Sequence, residues 1–261
     1  MSDQNSPEWE APPPPPPPEP VDQPQMSEAS MIPNVFFEPG AVFEDQRRKG
    51  RFILGAILMI VLFSAFQIIF VEKFGLENIV RARIEASKRT QDLDADAKNT
   101  IIRQQSSNIA KYITYGATPL VMIVVFFIGG LVYWGGTKAM GGDGGYLSTV
   151  AVWIYSGIPP TVIFFVGNMI VLFLKSPDQI DLSTSQGGLL KANLGVLVDA
   201  HANPVLSALL SSFDLLAIWG WILAAIGLQK VAKISSGSAW TVVIIIALVR
   251  VGGSLIGALL F

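Results

Sequence analysis

The chain has 261 residues, a formal net charge of -2 and a mean hydropathy of +0.50, with 51% of its residues hydrophobic. A chain this apolar is hard to keep in water, and its near-neutral balance argues against a nucleic-acid partner. No cysteine and one histidine exclude disulfides, thiol catalysis, cysteine metal sites and His-rich clusters, so neither cofactor nor metal is read from the sequence.

Residues 1–30 carry seven consecutive prolines, Pro12 to Pro18, among Glu8, Glu10, Glu19 and Asp22. Proline removes backbone donors and favours the extended polyproline II form, and little here is apolar enough to bury. A disordered proline-rich tail is expected, either a solvated spacer or a docking segment for a proline-binding partner. No signal peptide precedes the first apolar run. Between Met31 and Phe43, Val35, Phe36, Phe37, Val42 and Phe43 sit among turn formers, which predicts a short interfacial helix from about Pro39. Arg47, Arg48, Lys49 and Arg51 follow at once and place the amino terminus in the cytoplasm.

A spanning helix needs about 20 apolar residues to cross a hydrocarbon core of roughly 30 Å. Five segments meet that length: about 52–71, 112–134, 147–174, 205–228 and 240–261. Residues 72–111 hold eight Lys or Arg and six acids, with Ile79, Ala82, Ala86, Leu93, Ala97, Ile101 and Ile109 at near-helical spacing. One or two amphipathic helices on the far side of the membrane are predicted there. Gly141 to Gly145 lacks the strand, helix and Lys or Ser/Thr of a phosphate loop, and reads as a connector.

The third span contains Pro159-Pro160, which deletes two backbone donors and predicts a kink or break at mid-membrane depth. Exposed carbonyls at such a break either bind ions or are satisfied by neighbouring helices. The loop 175–203 carries Asp178, Asp181, Asp199 and His201; Asp199 and His201 make two metal ligands where a site needs three or four. Leu189, Leu190, Leu194, Val196 and Leu197 place part of this loop on the membrane surface.

Asp214 and Arg250 fall inside the fourth and fifth spans, where a lone charge costs at least about 2.5 to 3.5 kcal/mol. Counted along antiparallel helices, they lie about 10 Å and 15 Å from the far surface, within an arginine's reach of each other. An Asp214–Arg250 pair is expected; Arg250 bonded to carbonyls freed by Pro159 and Pro160, and a proton or ion relay, are the alternatives. Gly253 and Gly257 form a GxxxG pattern and Gly220 with Ala224 a second small-residue pair, so these faces are expected to pack against other spans or a second copy.

The stretch Ser212 to Ser235, with Phe213-Asp214, Ile218-Trp219 and Gly227-Leu228, resembles the hallmark of the Yip-type (Ypt/Rab-interacting protein) membrane family in its bacterial form. Phe37-Glu-Pro-Gly-Ala-Val-Phe43 and Ala151-Val-Trp-Ile-Tyr-Ser-Gly-Ile-Pro-Pro160 extend the resemblance to about residues 35–261. It implies five spans, a cytoplasmic amino terminus and a carboxy terminus on the other side, and it adds Trp219 and Tyr155 to the candidate residues. Eukaryotic members are linked to Rab-type GTPases and membrane trafficking. The polar insertion after the first span and the proline tail depart from the compact family pattern, so that role is not carried over.

The expected protein is an all-α integral membrane protein, a five-helix transmembrane bundle in domains 1–30, 31–51 and 52–261. A non-enzymatic scaffold or partner-binding module is expected, since no span shows paired acids, a His cluster or a nucleophile with its base. Its partners are the lipid bilayer and a protein met through the tail or the far-side loop. The rival is a transport or channel component using Pro159-Pro160, Arg250 and Asp214. The expected location is a bacterial plasma membrane, with the ER or Golgi membrane as the alternative.

Overall fold

A computed structural model of the chain describes residues 23–260, apart from 177, 178, 184, 186, 187, 200 and 201. The expected tail lies mostly outside the described residues. Ten α-helices follow in order among the described residues: α1 (Glu28–Phe37), α2 (Pro39–Arg48), α3 (Ile53–Phe74), α4 (Leu76–Ala86), α5 (Ala95–Gln105), α6 (Asn108–Ala139), α7 (Tyr146–Leu174), α8 (Pro204–Ser211), α9 (Leu215–Ala232) and α10 (Ser236–Leu260). Helices α3, α6, α7, α9 and α10 are long and apolar enough to cross a membrane. Apolar all round, they suit a solvent that offers no hydrogen bonds and that forces every backbone group to be satisfied within its own helix.

Helix α7 is the axis of the bundle, packed by α3, α6 and α9. Its Val150, Val152, Ile154, Tyr155 and Ile158 are fully buried. Close approach is made possible by glycine. A Cβ on Gly129 of α6 would stand 2.1 Å from Trp153, one on Gly130 2.3 Å from Val150, and one on Gly227 of α9 2.7 Å from Val152. Small residues let backbones approach where lipid offers no hydrophobic drive between helices. The α6–α7 turn, with Gly141 at φ 78°, presses Gly142 and Gly144 against Ala232 at the end of α9, and Asp143 N donates to Ala232 O at 3.1 Å. The glycine run is thus a packed connector.

Before the first span the chain forms two helices, α1 and α2, rather than a single interfacial one. Met31, Val35, Val42 and Phe43 are fully buried in the main core, and α2 packs chiefly on α9. The hairpin is pinned by Asp45, 2% exposed, which pairs with Arg51 Nη2 at 2.5 Å and Arg48 Nη1 at 3.6 Å and accepts from Gln25 N. Buried Gln46 locks the exit: its Nε2 donates to Arg51 O at 2.6 Å and its Oε1 accepts from Arg51 N at 2.7 Å. Two of the basic residues ahead of the first span therefore also hold its start in place.

At the far end, α4 and α5 meet through Val80, Ile84 and Ile102. Asp94 caps α5 by accepting from Ala97 N at 2.7 Å. Lys73 donates to the carbonyls of Leu172 and Lys175, which fastens the end of α3 to the end of α7.

Candidate functional site

The span expected over 205–228 is two helices. Apolar composition runs through the region without a gap, but Asp214 takes an extended backbone and accepts from Leu216 N at 2.9 Å and Ala217 N at 3.2 Å. An aspartate is among the strongest N-caps, so it ends α8 and starts α9. Leu215 N donates to Ala192 O at 3.0 Å and Asn193 Nδ2 to Asp214 Oδ2 at 3.3 Å, which ties the break to the loop above it. Asp214 thus sits at a helix head, not within a span.

Arg250 lies exposed along α10 and forms no ion pair with Asp214 and no hydrogen bond to the carbonyls near Pro159 and Pro160 among the described residues. The expected pair is not formed because the charge of Asp214 is directed at the α9 amides. Helix α7 runs unbroken through Pro159-Pro160. The carbonyl of Ser156, whose helical donor would be the missing N–H of Pro160, faces the backbone of α9: a Cβ on Gly220 would be 3.6 Å from it and 3.6 Å from Pro160. A neighbouring helix covers the proline site. Trp219, the residue before Gly220, packs edge-on to Phe36 of α1 with centroids 6.0 Å apart. Tyr155 is fully buried and its hydroxyl has no hydrogen-bond partner among the described residues.

Gly220 packs as the sequence suggests, but Gly253 and Gly257 do not meet another part of the chain among the described residues: a Cβ at either has nothing within 4 Å. Gly252 beside them is equally open. The packing glycines Gly129 and Gly130 escape sequence reasoning, since neither stands in a GxxxG spacing with another glycine.

Between α3, α6, α7, α8, α9, α10 and the described part of the loop before α8 lies a cavity of about 1090 Å³. Pro160, Asp214, Gly220 and Arg250 all line it, so the structure brings together around one space residues that do not bond to one another. Its roof hangs on Asn168, fully buried in α7, which donates to Phe164 O and accepts from Leu189 N at 2.5 Å and Leu190 N at 3.1 Å. Asn168→Ala strands both amides and is expected to cost about 1–3 kcal/mol. Hydrogen exchange should then accelerate at Leu189 and Leu190 while the α7 core stays protected. Of the loop's apolar residues, Leu189 and Leu190 are half-buried and Leu194, Val196 and Leu197 exposed. His201 lies outside the described residues, and no cluster of three or more His, Cys, Asp or Glu able to hold a metal is found among those described.

Five helices long and apolar enough to span, with no strand among the described residues, define an all-α, multi-pass integral membrane protein. Residues 34–258 match the Yip1 domain, and the chain belongs to the Yip1-domain family. It is similar to the membrane protein YknW of Bacillus subtilis (strain 168), at 26% identity over 174 residues that cover 67% of this chain and 68% of YknW. No solved structure matches the chain. The family resemblance read from Ser212 to Ser235 is thereby shown.

Proposed function

We propose that this Yip1-family protein is a non-enzymatic membrane scaffold that binds a protein partner through the outer half of its last span. Its amino-terminal end faces the cytoplasm, and its Bacillus relative favours a bacterial plasma membrane. One observation carries the reading. Gly129, Gly130 and Gly136 on α6 and Gly227 on α9 would each drive a Cβ into a neighbour, whereas Gly252, Gly253 and Gly257 present a contiguous face with no described residue within 4 Å of a Cβ. Single glycines of α6, Gly116 and Gly135, are also open, but they form no stripe. Around this face Leu248, Val249 and Ile256 are exposed as well. In a membrane a small-residue stripe admits another helix closely, and the energy comes from dispersion and backbone contact.

The test is purification in native lipid particles, without detergent, of the natural chain and of the Gly253→Leu/Gly257→Leu double variant. The expected result is a stoichiometric protein companion, another chain or a second copy, that the double variant loses. A natural chain recovered alone would overturn the reading.

A transport role is favoured by a different observation, the cavity at Pro160, Asp214 and Arg250. If it is a permeation path, Ser207→Cys and Ser211→Cys on this cysteine-free background react with a membrane-impermeant maleimide. Protection of both removes that reading.

A further inference from the structure

The cavity has a chemistry that the scaffold reading leaves unused. Its inner wall is apolar and aromatic, built by Met59, Phe63, Trp153, Phe164, Trp221 and Val243. Towards the far end it becomes polar, with Ser207, Ser211, Asn193, Lys191 and Arg250. Small-molecule sites run to about 300–1,000 Å³, so this space lies just above that range and holds far more than an ion. Arg250 stands 14 positions into α10, about 21 Å along its axis, on a helix that is otherwise apolar on every side. A charge there needs a partner, yet none among the described residues bonds to it. Three acids share the lining: Asp214 is engaged by the α9 amides, Asp181 accepts from Ser183 and Asp199 accepts from Ala202 N at 3.4 Å, and none of the three bonds to Arg250.

We propose that this cavity is a phospholipid site, in which the phosphate rests on the Arg250 guanidinium and an acyl chain lies along the aromatic wall. A guanidinium is planar and weakly hydrated, and it offers paired donors that match two phosphate oxygens. The gradient from apolar wall to charged rim follows the length of a lipid and suits no compact soluble phosphate, whose carrier would have to be desolvated against Met59 and Phe63. Arg250 lies three and seven positions before Gly253 and Gly257 on the same helix, so the lipid site adjoins the glycine face but is lined by different residues.

Native mass spectrometry of the delipidated full chain titrated with phosphatidylglycerol in micelles tests it. The expected result is one saturable lipid adduct, weakened about tenfold or more in Arg250→Met, as loss of a charge-assisted bond requires, and only partly restored in Arg250→Lys, which keeps the charge but not the paired donors. Ala217→Phe, which fills the cavity wall and keeps the arginine, should abolish the adduct and keeps the test open if Arg250→Met fails to fold. Equal binding by the natural chain and both cavity variants would overturn the proposal. So would displacement of the lipid by millimolar glycerol phosphate, because the phosphate alone would then be the ligand.

Discussion

Asp45→Ala is expected to lower stability by about 3 kcal/mol, the lower part of the range for breaking a buried ion pair, because Arg51 keeps partial exposure. The change leaves the guanidinium of Arg51 beside Met26 O with its charge uncompensated and strands Gln25 N. The damage should spread, since Asp45 holds α2 against the entry to α3 and α2 supplies fully buried Val42 and Phe43 to the main core. Asp45→Asn retains the shape and one acceptor and should lose roughly half as much. Replacing the pair together, as Asp45→Leu with Arg51→Met, should recover most of the loss, because a buried pair is often no more stabilising than well-packed apolar side chains. Thermal unfolding in detergent, followed by helical circular dichroism, ranks the three variants. A single alanine variant with an unchanged melt would show that the hairpin contributes nothing to the bundle.

Gly130→Leu is the second large effect. A Cβ there meets Val150 Cγ2 at 2.3 Å and Val150 Cα at 2.7 Å, and the second contact is backbone, so no rotamer change relieves it. Helices α6 and α7 must separate, opening the Val150, Trp153 and Tyr133 contacts. Overpacking of a dense core costs typically about 1–3 kcal/mol, and this site belongs at or above the top of that range. Gly130→Ala should already be measurable. Gly253→Leu on α10 should leave the melt of the isolated chain unchanged, because nothing lies within 4 Å of that position. The same scan on the three variants gives the contrast, and equal losses at both glycines would contradict the packing described here.

Much of this fold was legible because bilayer thickness and helix rise fix how long an apolar run must be. Five such runs emerge from composition alone, and the two amphipathic helices between the first and second spans emerge from the spacing of Ile79, Ala86, Ala97 and Ile101. What escaped depends on competition between local and tertiary terms. Asp214 reads as a charge in a span when the whole apolar run is weighed, yet it follows Ser212-Phe213 and opens a new helical register, the position where an N-cap outcompetes continuation. Pro159-Pro160 reads as a break, but the close backbone of α9 at Gly220 lets α7 continue. The GxxxG spacing pointed to Gly253 and Gly257, while the tight contacts fall on Gly129, Gly130 and Gly227, whose neighbours are set by the fold. The basic cluster from Arg47 to Arg51 was read only as a topogenic signal, and nothing local reveals that Asp45 becomes buried beneath it.

The scaffold reading stands or falls on whether the outer half of α10 touches another protein in the membrane. A photocrosslinking residue placed singly at Gly253, at Ile57 on the exposed face of α3 and at buried Val150 measures this in intact cells. The account predicts a discrete protein adduct from position 253 alone. Adducts of equal yield from positions 57 and 253, or none from 253, would contradict it.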